Sequence, residues 1–166
     1  MLRVTGRVGA VALGVALATM LAGCATKPVS ETVVEQAVPD ALPLFPNETP
    51  ELRAAINHWS DHYELPRGLV HRLAIRESTH NPAARNGPYW GLFQILPETA
   101  RGMGFKGTNQ ELLDANINLK YALKYLKGAY IVSDGDWDDA IKWYARGYYY
   151  EAKRKGLLVE TGLRKG

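Results

Sequence analysis

The sequence predicts a mostly α-helical domain of about six short helices, preceded by a leader and a tether. Three observations carry this expectation. Apolar residues recur at three- and four-residue spacing through most of the chain beyond Thr49, as in helices buried along one face. Proline, glycine and Asn-Pro or Asn-Gly steps interrupt those runs often, so the helices are short. No segment alternates apolar and polar residues convincingly, so no strand set is expected. The 166 residues suffice for one domain, and no internal repeat is evident.

The first 23 residues read as a leader. Arg3 and Arg7 precede an apolar run, Val8 to Met20, that is too short for an ordinary membrane span. Leu21-Ala22-Gly23-Cys24 then resembles a bacterial lipobox, which implies cleavage before Cys24 and a diacylglycerol on its sulfur. Ala25, in place of an aspartate, resembles an outer-membrane address. The expected location is therefore the periplasmic face of a bacterial membrane, reached through the lipid anchor at Cys24. Cys24 is the only cysteine, which excludes a disulfide framework within one chain. Residues 24–48 are rich in Val, Pro, Glu and Ala without a period and read as a flexible tether.

A helix is predicted from Thr49, with Thr49 as cap, Pro50 in the first position and Glu51 at the positive end. Leu52, Ala55, Ile56, Trp59 and Tyr63 form its apolar stripe. Pro66 opens a second helix, and Asn81-Pro82 and Asn86-Gly87-Pro88 make a loop. Pro97 to about Arg101 is a short helix, and Asn116 to about Tyr130 a stronger one with Leu119, Leu123, Leu126 and Tyr130 aligned. After the turn Ser133-Asp134-Gly135-Asp136, a last helix is expected from Trp137 to Lys155, with Ala140, Ile141, Tyr144 and Tyr148 inward. The domain spans 49–156, and 157–166 is a basic tail.

Loss of Arg3 and Arg7 with the leader reduces the formal charge from +3 to about +1. Overall basicity is thus no argument for a nucleic-acid partner. Lys142, Arg146, Lys153, Arg154, Lys155, Arg164 and Lys165 do crowd the C-terminal end, where a solvated helix face and a frayed tail are the plain explanation.

Glu77 carries the chemical interest. In the second helix Leu69, Leu73 and Glu77 share a stripe beside Val70 and Ala74. Burial and the negative end of the helix both disfavour the carboxylate, which suits a general acid near neutral pH. An ordinary Glu paired with Arg76 or Arg72 is the bland alternative. His58 and His62 lie one turn apart, but Trp59 stands where a His-Glu-x-x-His motif needs glutamate, and no metal or other cofactor is expected.

Four segments together resemble the lytic transglycosylase domain of the soluble lytic transglycosylase type, which has a lysozyme-like fold shared with goose-type lysozymes. They are Glu77-Ser78 with Asn81-Pro82-Ala83; Gly91-Leu92-Phe93-Gln94-Ile95-Leu96-Pro97-Glu98-Thr99-Ala100; Asn118-Leu119 with Ala122 and Tyr125-Leu126; and Ala140 to Gly147. The resemblance spans about Thr49 to Tyr150. The chain departs from the pattern at Phe93, where Met is usual, at Ala122, where Gly is common, and at Ala145, where Asn is common. The loop before Gly91 is also shorter and more aromatic than the pattern.

The resemblance implies a lysozyme-like single domain acting on peptidoglycan strands. It implies Glu77 as the single catalytic acid and base, Ser78 supporting the substrate or Glu77, Gln94 in the glycan groove, and Tyr144 hydrogen-bonded to the catalytic carboxyl. Tyr89 and Trp90, with Trp143, Tyr148, Tyr149 and Tyr150, have the apolar faces and polar rims that stack on sugars, although core packing is an alternative for Tyr148. The implied reaction breaks the β-1,4 bond between N-acetylmuramic acid and N-acetylglucosamine and leaves a 1,6-anhydro sugar. A lysozyme-type hydrolase and a non-catalytic peptidoglycan-binding lipoprotein remain as alternatives.

Overall fold

The computed structural model describes residues 42–165. The leader, Cys24 and most of the tether expected from the sequence lie outside the described residues. The helices are α1 (Pro50–His62), α2 (Arg67–Ser78), α3 (Pro97–Gly102), α4 (Ala115–Val132), α5 (Trp137–Arg146) and α6 (Tyr149–Lys155). A small antiparallel hairpin, β1 (Arg85–Asn86) and β2 (Tyr89–Trp90), lies between α2 and α3, and a 3-10 turn at Asn109–Leu113 precedes α4. The mainly α class and six short helices are as the sequence predicts, and the arrangement is consistent with a lysozyme-like single domain.

The helix starts follow from their caps. The Thr49 hydroxyl accepts from the Leu52 N–H at 3.1 Å, with Pro50 next in the chain. Asp114 and Asp136 do the same for α4 and α5, accepting from the N–H groups of Ile117 and Asp139. Each such cap contributes about 1 kcal/mol. The longest helix, α4, is the centre of the core. Its Leu119, Ala122, Leu123, Leu126 and Ala129 are fully buried, and α1, α3, α5, α6 and the 3-10 turn all pack on it.

Three features differ from the sequence expectation. The hairpin has strands of two residues, too short to leave a period-two signature. The last helix is two. Gly147, at φ 82° and ψ 143°, sits in a region that side-chain residues avoid, and it separates α5 from α6. The apolar stripe nevertheless runs on, because the bend seats Tyr148 in the core, where its hydroxyl donates to the Tyr125 carbonyl at 2.9 Å. The buried face of α1 also includes Arg53, Asn57 and Ser60 beside Leu52 and Ile56.

Residues 42–48, placed at the end of the tether by the sequence, lie against the domain and account for part of that broad face. Glu48 is buried and accepts from the Arg53 guanidinium and from the Phe45 N–H. The Phe45 ring stacks on His80, with centroids 4.8 Å apart. At the other end, Leu158 and Thr161 are buried and Leu163 packs on the core.

Candidate active site

The sequence places Glu77 in the last turn of α2, and the packing of that helix decides its surroundings. Leu69, Leu73 and Ala74 are fully buried, so the stripe that ends in Glu77 points into the domain. The Glu77 side chain retains 19% of its exposure, enough to meet a ligand yet largely withdrawn from water. Burial raises its pKa above the ordinary carboxyl value, and Arg76, with Nε 3.6 Å from Oε1, pulls the other way without cancelling the rise.

The end of α2 is strained. Thr79, at φ 52° and ψ 47°, and His80, at φ 59°, are both left-handed without being glycine. Each costs roughly 1 kcal/mol or more. Backbone bonds from Thr79 to Ile75 and from His80 to Ala74 close the helix. Asn47 Nδ2 donates to the Thr79 carbonyl at 3.0 Å, and burial of the His80 ring holds the second residue. The strained turn directs the chain from Glu77 towards the hairpin.

Opposite Glu77 runs the loop Gly91 to Ile95. Its shape is set by Asn118 on α4, a fully buried side chain. Asn118 Nδ2 donates to the carbonyls of Trp90 and Leu112 at 2.9 and 2.8 Å, and Oδ1 accepts from the Phe93 N–H at 3.0 Å. The backbone at Gly91 passes so close that a Cβ there would meet Leu112 O at 2.2 Å and Asn118 Nδ2 at 2.4 Å. Asn118 and Gly91 both belong to the sequence motifs, which do not by themselves reveal this role. The three bonds of Asn118 join segments remote in sequence, so no local pattern announces them.

Glu77, Gln94 and Tyr144 meet in a cleft of about 610 Å³, with Tyr89, Ala145 and three arginines also in its wall. Glu77 is the only carboxylate among the described residues lining it. Gln94, at φ 45°, turns its amide inward to donate to the carbonyls of Gly91 and Ala84 at 2.8 and 3.1 Å. Its side-chain oxygen is left as an acceptor for a ligand. The Tyr144 hydroxyl donates to the Phe93 carbonyl at 2.9 Å, whereas the resemblance implies a hydrogen bond to the catalytic carboxyl. Burial raises the Tyr144 pKa well above its usual value, and the nearby Glu77 charge adds to this. With its one proton committed to Phe93, the phenol can meet Glu77 only as an acceptor, a role that favours a protonated carboxyl.

Ser78 and Trp90 do not line the cleft. The Ser78 hydroxyl donates to the Leu92 carbonyl at 2.7 Å and accepts from the Asn81 N–H at 3.1 Å, tying α2 to the loop. Trp90 is half-buried beneath Arg85, its cross-strand partner in the hairpin. Tyr149 and Tyr150 are both exposed, whereas Tyr148 belongs to the core.

One buried cluster has donors suited to a metal. Ligand atoms of Glu48, His71 and His80 lie within 4.8 Å of one another. The Arg53 guanidinium already holds the Glu48 carboxylate, so a dication there would be added to an existing buried cation. The imidazoles instead form a chain: His71 Nδ1 is 3.1 Å from His80 Nε2, and His71 Nε2 is 3.4 Å from Asn57 Oδ1. This order suits two neutral rings better than a metal centre.

No helix among the described residues is long and apolar enough to cross a membrane. No curated protein and no solved structure matches the chain. One protein family does, through its sequence model, and the match covers both walls of the cleft. Residues 54–157 match the transglycosylase SLT domain, and the chain belongs to that family.

Proposed function

We propose that the protein is a peptidoglycan lytic transglycosylase that cleaves the β-1,4 bond between N-acetylmuramic acid and N-acetylglucosamine and leaves a 1,6-anhydro end. The observation that carries this reading is the lone desolvated carboxyl. Ordinary glycosidases flank the scissile bond with two carboxyl groups, whereas Glu77 is the one carboxyl among the described residues that line this cleft. An internal nucleophile from the sugar removes the need for a second.

Glu77 first gives its proton to the glycosidic oxygen, and the C1–O bond breaks as the N-acetylglucosamine hydroxyl leaves. The 2-acetamido oxygen of the muramoyl unit bonds to C1 and stabilises the positive charge, as in substrate-assisted glycosidases. Glu77, now ionised, takes the proton of the sugar's own 6-hydroxyl. O6 attacks C1, the acetamido group is released, and Glu77 is again protonated. No water is consumed. The raised pKa serves the first step, and the limited exposure of Glu77 serves the last by keeping competing water scarce.

The same reading places the domain at the periplasmic face of the outer membrane, tethered by a lipid on Cys24. Its support is the residue pattern before Thr26.

The test is digestion of purified sacculi by the wild-type protein and by Glu77→Gln, with products identified by mass spectrometry. Anhydro-muropeptides from the wild type alone are expected. Reducing-end products would establish a lysozyme-type hydrolase instead. Binding of both forms without any turnover would establish a non-catalytic wall-binding lipoprotein.

A further inference from the structure

The charges of the cleft exceed what its sugar chemistry needs. Arg76, Arg85 and Arg146 line it against the single carboxylate of Glu77. Arg76 is engaged with Glu77. Arg85 and Arg146 form no ion pair among the described residues and instead sit over indole rings. The Arg85 Cζ lies 3.2 Å from the Trp90 ring centroid, and the Arg146 Cζ lies 3.8 Å from that of Trp143.

Stacking consumes the faces of a guanidinium and leaves its in-plane N–H groups available. It also fixes the fork in advance, so less side-chain entropy is lost when a ligand binds. Arg85 spends one N–H on the Gly87 carbonyl at 3.3 Å, and its other donors stay open. Both arginines are exposed and belong to different walls, Arg85 to the hairpin and Arg146 to the end of α5.

Arg76 works against the raised pKa of Glu77. The pyranose rings with their hydroxyl and N-acetyl groups are uncharged and give such cations nothing to neutralise. A bound anion reverses the balance, since it pairs with the guanidinium forks and favours the neutral carboxyl.

We propose that Arg85 and Arg146 form a receptor for carboxylates carried on the 3-O side groups of muramoyl units, so that the cleft selects anionic strands. The inference rests on the proposed reading of the cleft as a glycan site and names the strand chemistry it selects. Two sources share this chemistry: the lactyl carboxylate itself, where no peptide is attached, and the acidic groups of an attached peptide.

Binding to the full-length Glu77→Gln protein separates the question from turnover. Three soluble strand preparations serve as probes: strands with peptides, strands stripped to free lactyl carboxylates, and stripped strands with those carboxylates converted to neutral methylamides. Neutral strands are expected to bind about tenfold more weakly than carboxylated ones. Adding Arg85→Gln and Arg146→Gln together should abolish that preference, while Arg146→Lys, which keeps charge but loses the fork, should retain part of it.

A preference for strands with peptides over stripped strands assigns the site to the peptide. Equal binding of those two, both above the neutral strand, assigns it to the lactyl group. Equal binding of all three by the folded Glu77→Gln protein overturns the inference. So does a charge preference that survives the double arginine change. Charge-selective binding without anhydro products from the wild type would sink the transglycosylase reading and leave this one standing. Turnover without charge selection would do the reverse.

Discussion

At Glu77 burial favours the neutral acid, Arg76 opposes it, and the net shift is upward. Activity and stability therefore respond to pH together. Turnover requires the proton, so the rate should fall as pH rises through the Glu77 pKa, at a higher pH than for a solvated glutamate. The folded state binds this proton more tightly than the unfolded chain, so the contribution of Glu77 to stability is fully present at low pH and lost as pH rises through the folded pKa. Glu77→Gln removes the buried charge but keeps the shape. We expect it to lower turnover by about a thousandfold and to raise the melting temperature at pH 7, with the gain vanishing at pH 4. Calorimetry at the two pH values checks this, and a lower melting temperature at pH 7 would show that the carboxylate is stabilised after all. Tyr144→Phe tests the phenol separately. It strands the Phe93 carbonyl without an internal donor, so the expected cost is about 1–3 kcal/mol together with a downward shift of the pH–rate profile. Glu77 was legible in the sequence because its helical stripe is local. The partner of Tyr144 was not, because Phe93 lies 51 positions away and a side-chain pattern does not reveal a bond to backbone.

Helix starts are legible where the signal lies in a few adjacent residues, as at Thr49-Pro50-Glu51 and Asp136. The break at Gly147 was hidden because the apolar stripe continues through Tyr148 in spite of it, and periodicity alone cannot tell a bent helix pair from one helix. Two glycine substitutions separate the ways in which an element can fail. At Gly147 an added Cβ meets only the Tyr125 hydroxyl at 3.7 Å, an ordinary contact, so Gly147→Ala is penalised by backbone conformation alone. It should cost about 1–3 kcal/mol. At Gly91 the Cβ would collide with Leu112 O and with Asn118 Nδ2, so Gly91→Ala must break the Asn118 staple as well as strain the loop. We expect a larger loss of stability than at Gly147, and a loss of strand binding because Gln94 and Phe93 move with the loop. Denaturant unfolding of the two variants side by side tests the order. Equal losses would mean that the loop yields freely and that Asn118 does not set its shape.

For the whole molecule, residues 42–48 link the segment that precedes the domain to the turn that follows Glu77. Phe45 stacks on His80, Asn47 holds the Thr79 carbonyl, and Glu48 joins Arg53 on α1. None of this was legible from the sequence, where 24–48 has no period and His71 and His80 stand nine positions apart without a motif. The cluster makes the fold sensitive to acid. Burial lowers the His71 pKa to about 4; the Glu48 charge opposes this, while His80, Arg53 and Arg67 add to it. Burial lowers His80 as well. For Glu48, burial alone would raise the pKa, but the hydrogen bonds from Arg53 and Phe45 and the charges of His71 and His80 outweigh it, and the net direction is downward. The unfolded chain thus takes up a His71 proton below pH 6.5 that the folded protein refuses until about pH 4, so stability falls through that window as pH drops, and the lowered pKa of His80 acts in the same direction. His71 alone accounts for about 3 kcal/mol of that loss. Glu48 adds a further loss below its unfolded value of 4.5, as the carboxylate bound to Arg53 is protonated. Urea midpoints measured at pH 7.5, 5.5 and 4.5 should therefore fall steadily while the m-value stays constant. The imidazole resonance of His71 should show no protonation at pH 5.5 in the folded protein, and that of His80 should titrate below 6.5. A flat midpoint from pH 7.5 to 4.5, or either ring titrating near 6.5, would show that the segment around Phe45 opens readily and that the cluster is solvated. In that case the strained turn behind Glu77 would have to be held by α2 and the hairpin alone.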